Sequence, residues 1–294
     1  MGRGEDIVSN AAAALYVVST PIGNLEDIST RAVRVLSDVD LIAAEDTRHS
    51  AKLLQHYAIR TKVVSVHEHN ERAQVPRLIE MLRAGKSIAL ISDAGTPLLS
   101  DPGFHMVRAA RAAGVPVVAI PGPCAAIAAL SVAGLPTDRF VFEGFPPGRA
   151  GARRAAFEAM KDEPRTIVYY ESSHRIAASL ADMRAAFGDG RPAALARELT
   201  KKFEAVTAGT LAELSDRLAR EPNEQLGEFV VLIHGAAESL PGDRDAEADR
   251  VLRILLETLG VKEAVVLAAR LTGGQKNRLY DRALALKDEI SKTE

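Results

Sequence analysis

The chain has 294 residues, of which 47% are hydrophobic, and this length and composition are typical of a globular protein with room for two domains. Its 37 Lys and Arg nearly balance its 39 Asp and Glu, which excludes a strongly basic field over the whole molecule, so any nucleic-acid site must be a local patch. One cysteine, Cys124, excludes an internal disulfide and favours a reducing, cytoplasmic compartment, and no apolar run has the length of a membrane span.

The N-terminal half alternates short apolar runs with stretches of helical periodicity. Residues 1–14 are acidic where a signal peptide is basic, and we expect them to form a loose tail. Strands are predicted at 15–20, 40–45, 62–67, 87–92 and 115–120, and helical segments at 30–39, 50–57, 75–85 and 105–114. This alternation predicts an α/β domain over 15–135, with a parallel sheet between helices and any ligand beyond the C-terminal ends of the strands.

The alternation restarts after AGLPTD, residues 133–138, and predicts a second α/β domain at 136–236. Its strands are predicted at 139–144, 165–172, 192–200 and 227–235, and its helices at 173–187 and 210–221. PGDRDAEAD, residues 241–249, is interpreted as a polar linker, and three short helices are expected within a small C-terminal unit at 246–294. The predicted fold class is therefore α/β, with two α/β domains and a helical C-terminal unit.

Several common chemistries lack their signatures. The chain has no G-x-x-x-x-G-K-[ST] phosphate loop and no G-x-G-x-x-G after a strand. In HEHN, only His67 and His69 would share a strand face, and no third ligand follows at a suitable spacing, so we expect a polar loop and no metal. Cys124 has small apolar neighbours and no adjacent base, which favours a packed thiol at a helix start over a nucleophile.

Polar residues and glycines follow the C-terminal ends of seven predicted strands. The segments are TPIGNLED (20–27), EDTRHS (45–50), SDAGTPLLSDPG (92–103), PGPCAA (121–126), EGFPPGRAGARR (143–154), ESSHR (171–175) and RELTKKFE (197–204). Gly95 lets backbone groups approach a ligand closely, while Pro121 and Pro123 stiffen a neighbouring turn. One such loop alone is better explained as an ordinary tight turn, but seven on one rim predict a site for a zwitterionic ligand.

The same segments carry a family resemblance. TPIGNLEDIS, DLIAAEDTRHS, ISDAGTPLLSDPG, the run from IPGPCAA to FEGFPP, YYESSHR and ARELTKKFE resemble, in order and spacing, ribosomal RNA small-subunit methyltransferases of the tetrapyrrole-methylase superfamily. The resemblance runs from about Leu15 to the end of the chain. It implies S-adenosylmethionine in a cleft between two α/β domains, 2′-O-methylation of a cytidine in the decoding region of 16S rRNA, and a homodimer that acts on the small ribosomal subunit.

Carried over residue by residue, the resemblance implies a set of cofactor contacts. They are Pro21, Gly23, Ser92, Asp93, Ala94, Gly95, Thr96, Cys124 and Ala125, with backbone atoms of Gly227 and Glu228 near the adenine. Relatives that methylate tetrapyrroles have G-x-G-x-G where this chain has TPIGN, and GGDP where it has AGTP. Both departures fit the RNA-modifying branch of the superfamily.

Methyl transfer from a sulfonium needs alignment of donor and acceptor and a group that removes the ribose proton. Glu45 and Asp46 are adjacent carboxylates at a strand end and are the candidate bases. The alternative is that Asp46 only caps the helix that follows it. Arg48, Arg197, Lys201 and Lys202 are candidate phosphate contacts, although Arg197 has an alternative partner in Glu198.

Two local basic patches are candidate RNA contacts. Arg149, Arg153 and Arg154 lie in a predicted glycine-containing loop, and Lys276, Arg278 and Arg282 lie in the last predicted helix. KEAVVLAARLTGGQKNRLYDRALAL is similar to a helix-turn-helix, although a charged helix face is often only solvated. Two other classes stay open, namely a small-molecule methylase of the same fold, and an RNA-binding protein without catalysis.

Overall fold

The computed structural model describes residues 12–237 and 241–291. The chain divides into two compact units, and the boundary along the chain lies between Ala236 and Ala237. The first unit contains two five-stranded sheets, and the second contains helices. In the described ranges, no helix is both long and apolar enough to span a bilayer.

The first sheet is entirely parallel, as the alternation of strands and helices predicts. Its strands are β1 (Leu15–Val18), β2 (Leu41–Ala44), β3 (Val63–Ser65), β4 (Ile88–Ile91) and β5 (Val117–Ile120), in the order β3-β2-β4-β1-β5. Between and after them lie α1 (Thr30–Asp38), α2 (Thr47–His56), α3 (Glu71–Arg83), α4 (Phe104–Ala112) and α5 (Ala125–Val132). Every residue of β2 and β4 is buried, because helices cover both faces of a parallel sheet.

The second sheet is mixed. Its strands are β6 (Phe140–Gly144), β7 (Thr166–Ser172), β8 (Pro192–Arg197), β9 (Ala205–Thr210) and β10 (Glu228–Ile233), in the order β6-β7-β10-β8-β9. Only β6 and β7 pair in parallel, and the other pairs are antiparallel. Strand β9 is absent from the sequence-based prediction, because AVTAGT is rich in small and polar residues and none of them is fully buried.

The helices α6 (Ala150–Ala159), α7 (Ile176–Phe187) and α8 (Leu211–Arg220) belong to this second half of the unit. The predicted loop at 143–154 is wrong in its last part, since α6 begins at Ala150. Thr210 and Glu213 form a capping box at the start of α8. On the other face of the second sheet, Ala126, Ala129 and Leu130 of α5 pack against apolar residues of β7, β8 and β10. Because α5 follows the last strand of the first sheet, it brings the strand ends of one sheet to the other.

The second unit consists of α9 (Pro241–Leu256), α10 (Val261–Thr272) and α11 (Lys276–Ser291), with a core that includes Leu252, Val265 and Leu286. The predicted polar linker at 241–249 is wrong, since these residues form the first part of α9. A proline in the first turn and acidic residues near a helix N-terminus both favour a helix, and these outweigh the polar composition. Residues 1–11 of the expected tail lie outside the described residues.

Candidate active site

A cleft of about 320 Å³ lies where the C-terminal ends of the first sheet's strands face the second sheet. From the first half of the unit it is lined by Ile22, Glu45, Asp93, Ala94, Gly95, Thr96, Leu99, Ser100, Asp101, Cys124 and Ala125. From the second half it is lined by Phe145, Tyr170, Glu171, Ser172, Ala196, Leu199, Lys201, Glu228, Phe229 and Val230. The position agrees with the rule that ligands of parallel sheets bind beyond the carboxyl ends of the strands.

Gly95 holds the loop after β4 against the loop after β1. Its backbone has φ +84°, a left-handed conformation that favours glycine. Its N–H donates to the Thr20 carbonyl (3.0 Å), and its own carbonyl accepts from the Thr20 N–H (2.9 Å). Thr96 joins the loop after β5 to these two loops, because its hydroxyl donates to the Pro123 carbonyl (3.0 Å) and shares a hydrogen bond with the Ser19 hydroxyl (2.9 Å). These bonds fix three loops on one rim.

The N-terminus of α5 forms part of the cleft wall. Cys124 is the N-cap, and its side chain caps no backbone N–H. The Ala126 N–H donates to the Tyr170 hydroxyl across the cleft (3.2 Å). The other amides of the first helical turn have no intrahelical acceptor, and the helix dipole adds a partial positive charge there. This wall therefore favours a negatively charged group.

Three carboxylates, those of Glu45, Asp93 and Asp101, also line the cleft. Glu45 Oε2 accepts a hydrogen bond from the Asp93 N–H (3.3 Å), and Asp93 Oδ1 accepts one from the Asp46 N–H (3.0 Å). Burial, together with the nearby charges of Glu45 and Asp93, raises the pKa of Asp101 to about 6. Burial also raises the pKa of Glu45. Glu45 and Asp101 thus share a site in which their ionisation is coupled.

Lys201 links the loop after β8 to the start of β10. Its ammonium lies 2.8 Å from a carboxylate oxygen of Glu198 and 2.8 Å from one of Glu228. Burial disfavours the charged lysine, but hydrogen bonds to these two carboxylates outweigh it and raise the pKa of Lys201. Gly227 has φ +107°, and a Cβ there would lie 2.5 Å from Glu198 Cγ, so the position requires glycine.

The structure brings most of the predicted cofactor residues to the cleft. Those that line it are Asp93, Ala94, Gly95, Thr96, Cys124, Ala125 and Glu228, whereas Pro21, Gly23, Ser92 and Gly227 do not. Ser92 is buried beneath the loop, and its hydroxyl donates to the Ala94 carbonyl (3.4 Å). Gly23 makes room for Lys201, whose Cγ would lie 2.4 Å from a Cβ at that position. Ser92 thus supports the loop from below, and Gly23 leaves space for a cleft residue.

The two candidate bases differ in position. Glu45 lines the cleft, and Asp46 does not. Asp46 accepts a hydrogen bond from the Arg48 N–H (2.8 Å) as N-cap of α2, and it forms an ion pair with the Arg48 guanidinium (3.1 Å). Hydrogen bonds from Arg48 lower the pKa of Asp46 to about 2. A group that holds its proton so weakly is a poor base, and the capping alternative describes Asp46.

The predicted RNA contacts fall into two groups. The Arg153 side chain is buried and pairs with Asp182 (2.6 Å), so it is not accessible to a phosphate and its prediction is wrong. Arg197 donates to the carbonyls of Asn223 and Leu226, and Lys201 is held inside the cleft. The predicted contacts whose residues are exposed are Arg48, Arg149, Arg154, Lys202, Lys276, Arg278 and Arg282, and of these Arg282 pairs with Asp249 (2.5 Å).

Three notable cleft residues are absent from the sequence-based prediction. Asp101 lies in the segment SDAGTPLLSDPG, but its carboxylate gains its environment only when the loop folds back beside Glu45. Tyr170 and Phe145 lie at strand ends where their neighbours resemble ordinary core. The available signal was their position, since Phe145 lies inside the predicted EGFPP loop and Tyr170 directly precedes ESSHR.

The lining fits the sulfonium cofactor that the resemblance implies. S-adenosylmethionine carries two positive charges and one carboxylate. Glu45, Asp93 and Asp101 supply negative charge in one part of the cleft, and the α5 N-terminus supplies positive charge at its wall. Among the described residues, no group of three or more His, Cys, Asp or Glu side chains is arranged to hold a metal ion.

Comparisons with known proteins agree with this geometry. Residues 14–215 match the family model for tetrapyrrole (corrin/porphyrin) methylases, and residues 242–287 match that of the RsmI C-terminal HTH domain. The chain is 56% identical to the ribosomal RNA small subunit methyltransferase I of Pseudomonas aeruginosa, over 93% of this chain and 98% of that protein. It is 49% identical to the protein of the same name from Escherichia coli O157:H7, over 94% of this chain and 96% of that protein.

Solved structures share the fold at low identity. The uroporphyrin-III C-methyltransferase of Thermus thermophilus superposes with a TM-score of 0.53 at 22% identity, and covers 76% of this chain and 94% of that one. A diphthine synthase superposes with a TM-score of 0.56 at 16% identity, over 75% and 90% of the two chains. The two-sheet unit, its acidic cleft and the close relatives together show that the chain belongs to the ribosomal RNA small subunit methyltransferase I family of tetrapyrrole (corrin/porphyrin) methylases.

Proposed function

We propose that this protein transfers the methyl group of S-adenosylmethionine to the ribose 2′-hydroxyl of a cytidine in the decoding region of 16S rRNA. The observation that carries the proposal is the cleft itself, which is lined by an acidic cluster and by the N-terminus of a helix at the junction of two sheets. The substrate class rests on the names of relatives that are 56% and 49% identical. We place the reaction in the cytoplasm, on the small ribosomal subunit, with the protein as a homodimer.

The cofactor supplies an already activated methyl group, so the protein's own task is to align it with the acceptor and to accept a proton. The loop at 92–96 and the start of α5 are the proposed cofactor contacts. Glu45 and Asp101 are the proposed general base, acting as a pair of carboxylates, because both line the cleft and burial raises the pKa of each. Glu228 and Lys201 close the second side of the site.

Exposed arginines and lysines are proposed to hold the RNA. Arg48 lies at the start of α2, shortly after the cleft residue Glu45, and Lys202 follows the cleft residue Lys201. Arg149 and Arg154 flank the start of α6. Phosphate contacts of this kind orient a nucleic acid without reading its sequence.

The test uses small ribosomal subunits from cells that lack this protein. Incubation with labelled S-adenosylmethionine should place one methyl group on 16S rRNA, and mapping by nuclease digestion and mass spectrometry should locate it on a cytidine ribose in the decoding region. Free 16S rRNA serves as the comparison substrate. Label on a base, or on no RNA at all while the protein binds the cofactor, would contradict the proposal.

A further inference from the structure

Phe145 is an aromatic side chain at the mouth of the cleft that the proposed chemistry leaves without a task. It follows the last residue of β6, lines the cleft, and is 54% exposed. Leaving a phenyl ring in water forgoes much of the free energy that its burial would contribute. An exposed ring beside a ligand cleft therefore points to a contact that forms only with a bound molecule.

The backbone that carries Phe145 is held firmly. Gly144 has φ +68°, and a Cβ there would lie 2.7 Å from the Ser100 hydroxyl, so the two halves of the unit meet closely beside the ring. The Arg175 guanidinium donates to the Pro146 carbonyl and pairs with the buried Glu171 (3.2 Å). A ring on such a loop loses little conformational entropy when it meets a ligand.

The ring is supported along only part of its surface. It makes an edge-type contact with Tyr170, with 5.5 Å between the centroids and 64° between the planes. Tyr170 is in turn braced by Phe142 at 4.9 Å. Because this contact uses a limited part of the Phe145 ring and the residue is more than half exposed, the ring offers a flat apolar surface to the open side of the cleft.

The proposed reaction gives a flat partner at this place a role. A nucleotide that leaves the RNA stack can bring its ribose hydroxyl to a methyl donor inside the cleft, and its base then loses its stacking neighbours. Aromatic side chains compensate such bases and tolerate any base identity. The charged groups Glu45, Asp93 and Asp101 line the same cleft, whereas Phe145 and Leu99 form an apolar part of its rim.

Building on the proposed function, we propose that Phe145 stacks on the unstacked base of the acceptor nucleotide and so sets the position of its ribose over the cleft.

Three substitutions of Phe145 separate stacking from apolar packing. Phe145→Leu keeps an apolar contact with Tyr170 but removes the aromatic face, Phe145→Ala removes both, and Phe145→Trp keeps a stacking face. We expect Phe145→Leu and Phe145→Ala to raise the KM for small subunits by about tenfold or more, because that is the effect of losing one stacking contact with a base. Phe145→Trp should change the KM least. Cofactor affinity, measured by calorimetry, should stay within about twofold in all three variants.

Phe104→Ala is the matched control, since Phe104 is a similarly exposed ring (58%) that does not line the cleft. It should leave KM unchanged. An unchanged KM in a folded Phe145→Leu protein would overturn the stacking role, and so would a loss of cofactor affinity, which would assign the ring to the adenine. Failure of the unaltered protein to methylate rRNA would instead overturn the proposed function and, with it, the acceptor that this inference requires.

Discussion

At the scale of single residues, the chemistry of a carboxylate here depends on its surroundings more than on its place in the sequence. Asp46 and Asp101 both follow strands of the first sheet, but one caps a helix in solvent and the other is half-buried near two carboxylates. Their pKa values accordingly lie at about 2 and about 6, on either side of the ordinary value. Only the second is suited to exchange a proton near neutral pH.

Methyl transfer should therefore decline as the pH falls through about 6, because the Glu45–Asp101 pair takes up the proton that it must leave free to act as base. Asp101→Asn should lower the rate at saturating cofactor at least about tenfold and remove this dependence. Rates of methyl transfer across the range from about pH 5 to about pH 8 test it. A profile of Asp101→Asn that matches the unaltered protein would exclude Asp101 from the pair.

The same shift predicts an effect of opposite sign on stability. The folded-state pKa of Asp101 is raised above its unfolded value, so the folded protein is destabilised as the pH rises from about 4 through about 6. Asp101→Asn should then raise the melting temperature at about pH 7.5 by about 2–4 °C, since partial solvation reduces the full effect to about 1 kcal/mol. At about pH 4 the two proteins should melt together, and an equal gain at both pH values would show that charge is not the cause.

Asp46→Ala should affect stability and activity in the opposite way to Asp101→Asn. Loss of the N-cap of α2 and of the Arg48 ion pair should lower the melting temperature slightly, while the pH profile of transfer keeps its shape. Asp46→Asn is the control, because asparagine caps a helix equally well. A changed profile in both variants would return Asp46 to the catalytic site.

At the scale of elements, the apolar runs of the first sheet were predictable because parallel strands are buried on both faces, and each predicted strand contains an observed one. The weakly apolar β9 and the acidic first turns of α9 were not predictable from the sequence. Pairing with β8 decides the first, and electrostatics at the helix end decide the second. The loop at 92–96 was likewise readable from its glycine, whereas Phe145 and Asp101 acquire their roles through tertiary contacts with Tyr170 and Glu45.

Gly95→Ala tests the loop after β4, and Gly85→Ala serves as its matched control. Gly95 and Gly85 share φ +84°, so alanine should cost each about 1–2 kcal/mol of backbone strain. A Cβ at Gly95 would lie 3.4 Å from Ile22 in the cleft lining, whereas nothing lies within 4 Å at Gly85. Only Gly95→Ala should weaken S-adenosylmethionine binding in calorimetry, and equal cofactor affinity in the two variants would place the cofactor elsewhere.

The loop after β8 provides a second comparison between neighbours. Lys201→Ala should lower the melting temperature, because it leaves Glu198 and Glu228 without their shared cation. Lys202 is exposed, and its ammonium lies over the ring of Phe203, which is exposed as well. Lys202→Ala should therefore leave the melting temperature unchanged and weaken RNA binding. Melting curves and RNA titrations separate the two, and a reversed pattern would mean that Lys201 is the phosphate contact.

At the scale of the whole molecule, each unit has a core of its own. In the first unit, one cluster includes Ile42 and Leu36 of the first sheet's layer, and another includes Phe157 and Leu180 around the second sheet. The second unit encloses Leu252, with neighbours from α10 and α11. Part of the apolar surface of this C-terminal region is thus buried within its own bundle, whereas Ile254, Val266, Leu267, Leu271 and Leu284 are exposed.

Truncation after Ala236 should therefore leave a folded core that binds S-adenosylmethionine, because every cleft residue precedes that point. Methyl transfer to small subunits should fall, since the exposed Lys276 and Arg278 are removed with α11. The slope of log affinity for RNA against log salt should also shrink, by roughly 0.7–0.9 for each phosphate that the protein no longer neutralises.

Calorimetry for the cofactor and RNA titrations at several salt concentrations measure the two effects on one preparation. If the truncated protein aggregates or melts much earlier, the second unit serves to cover apolar surface; if it stays soluble with the same affinity and slope, the unit makes no RNA contact.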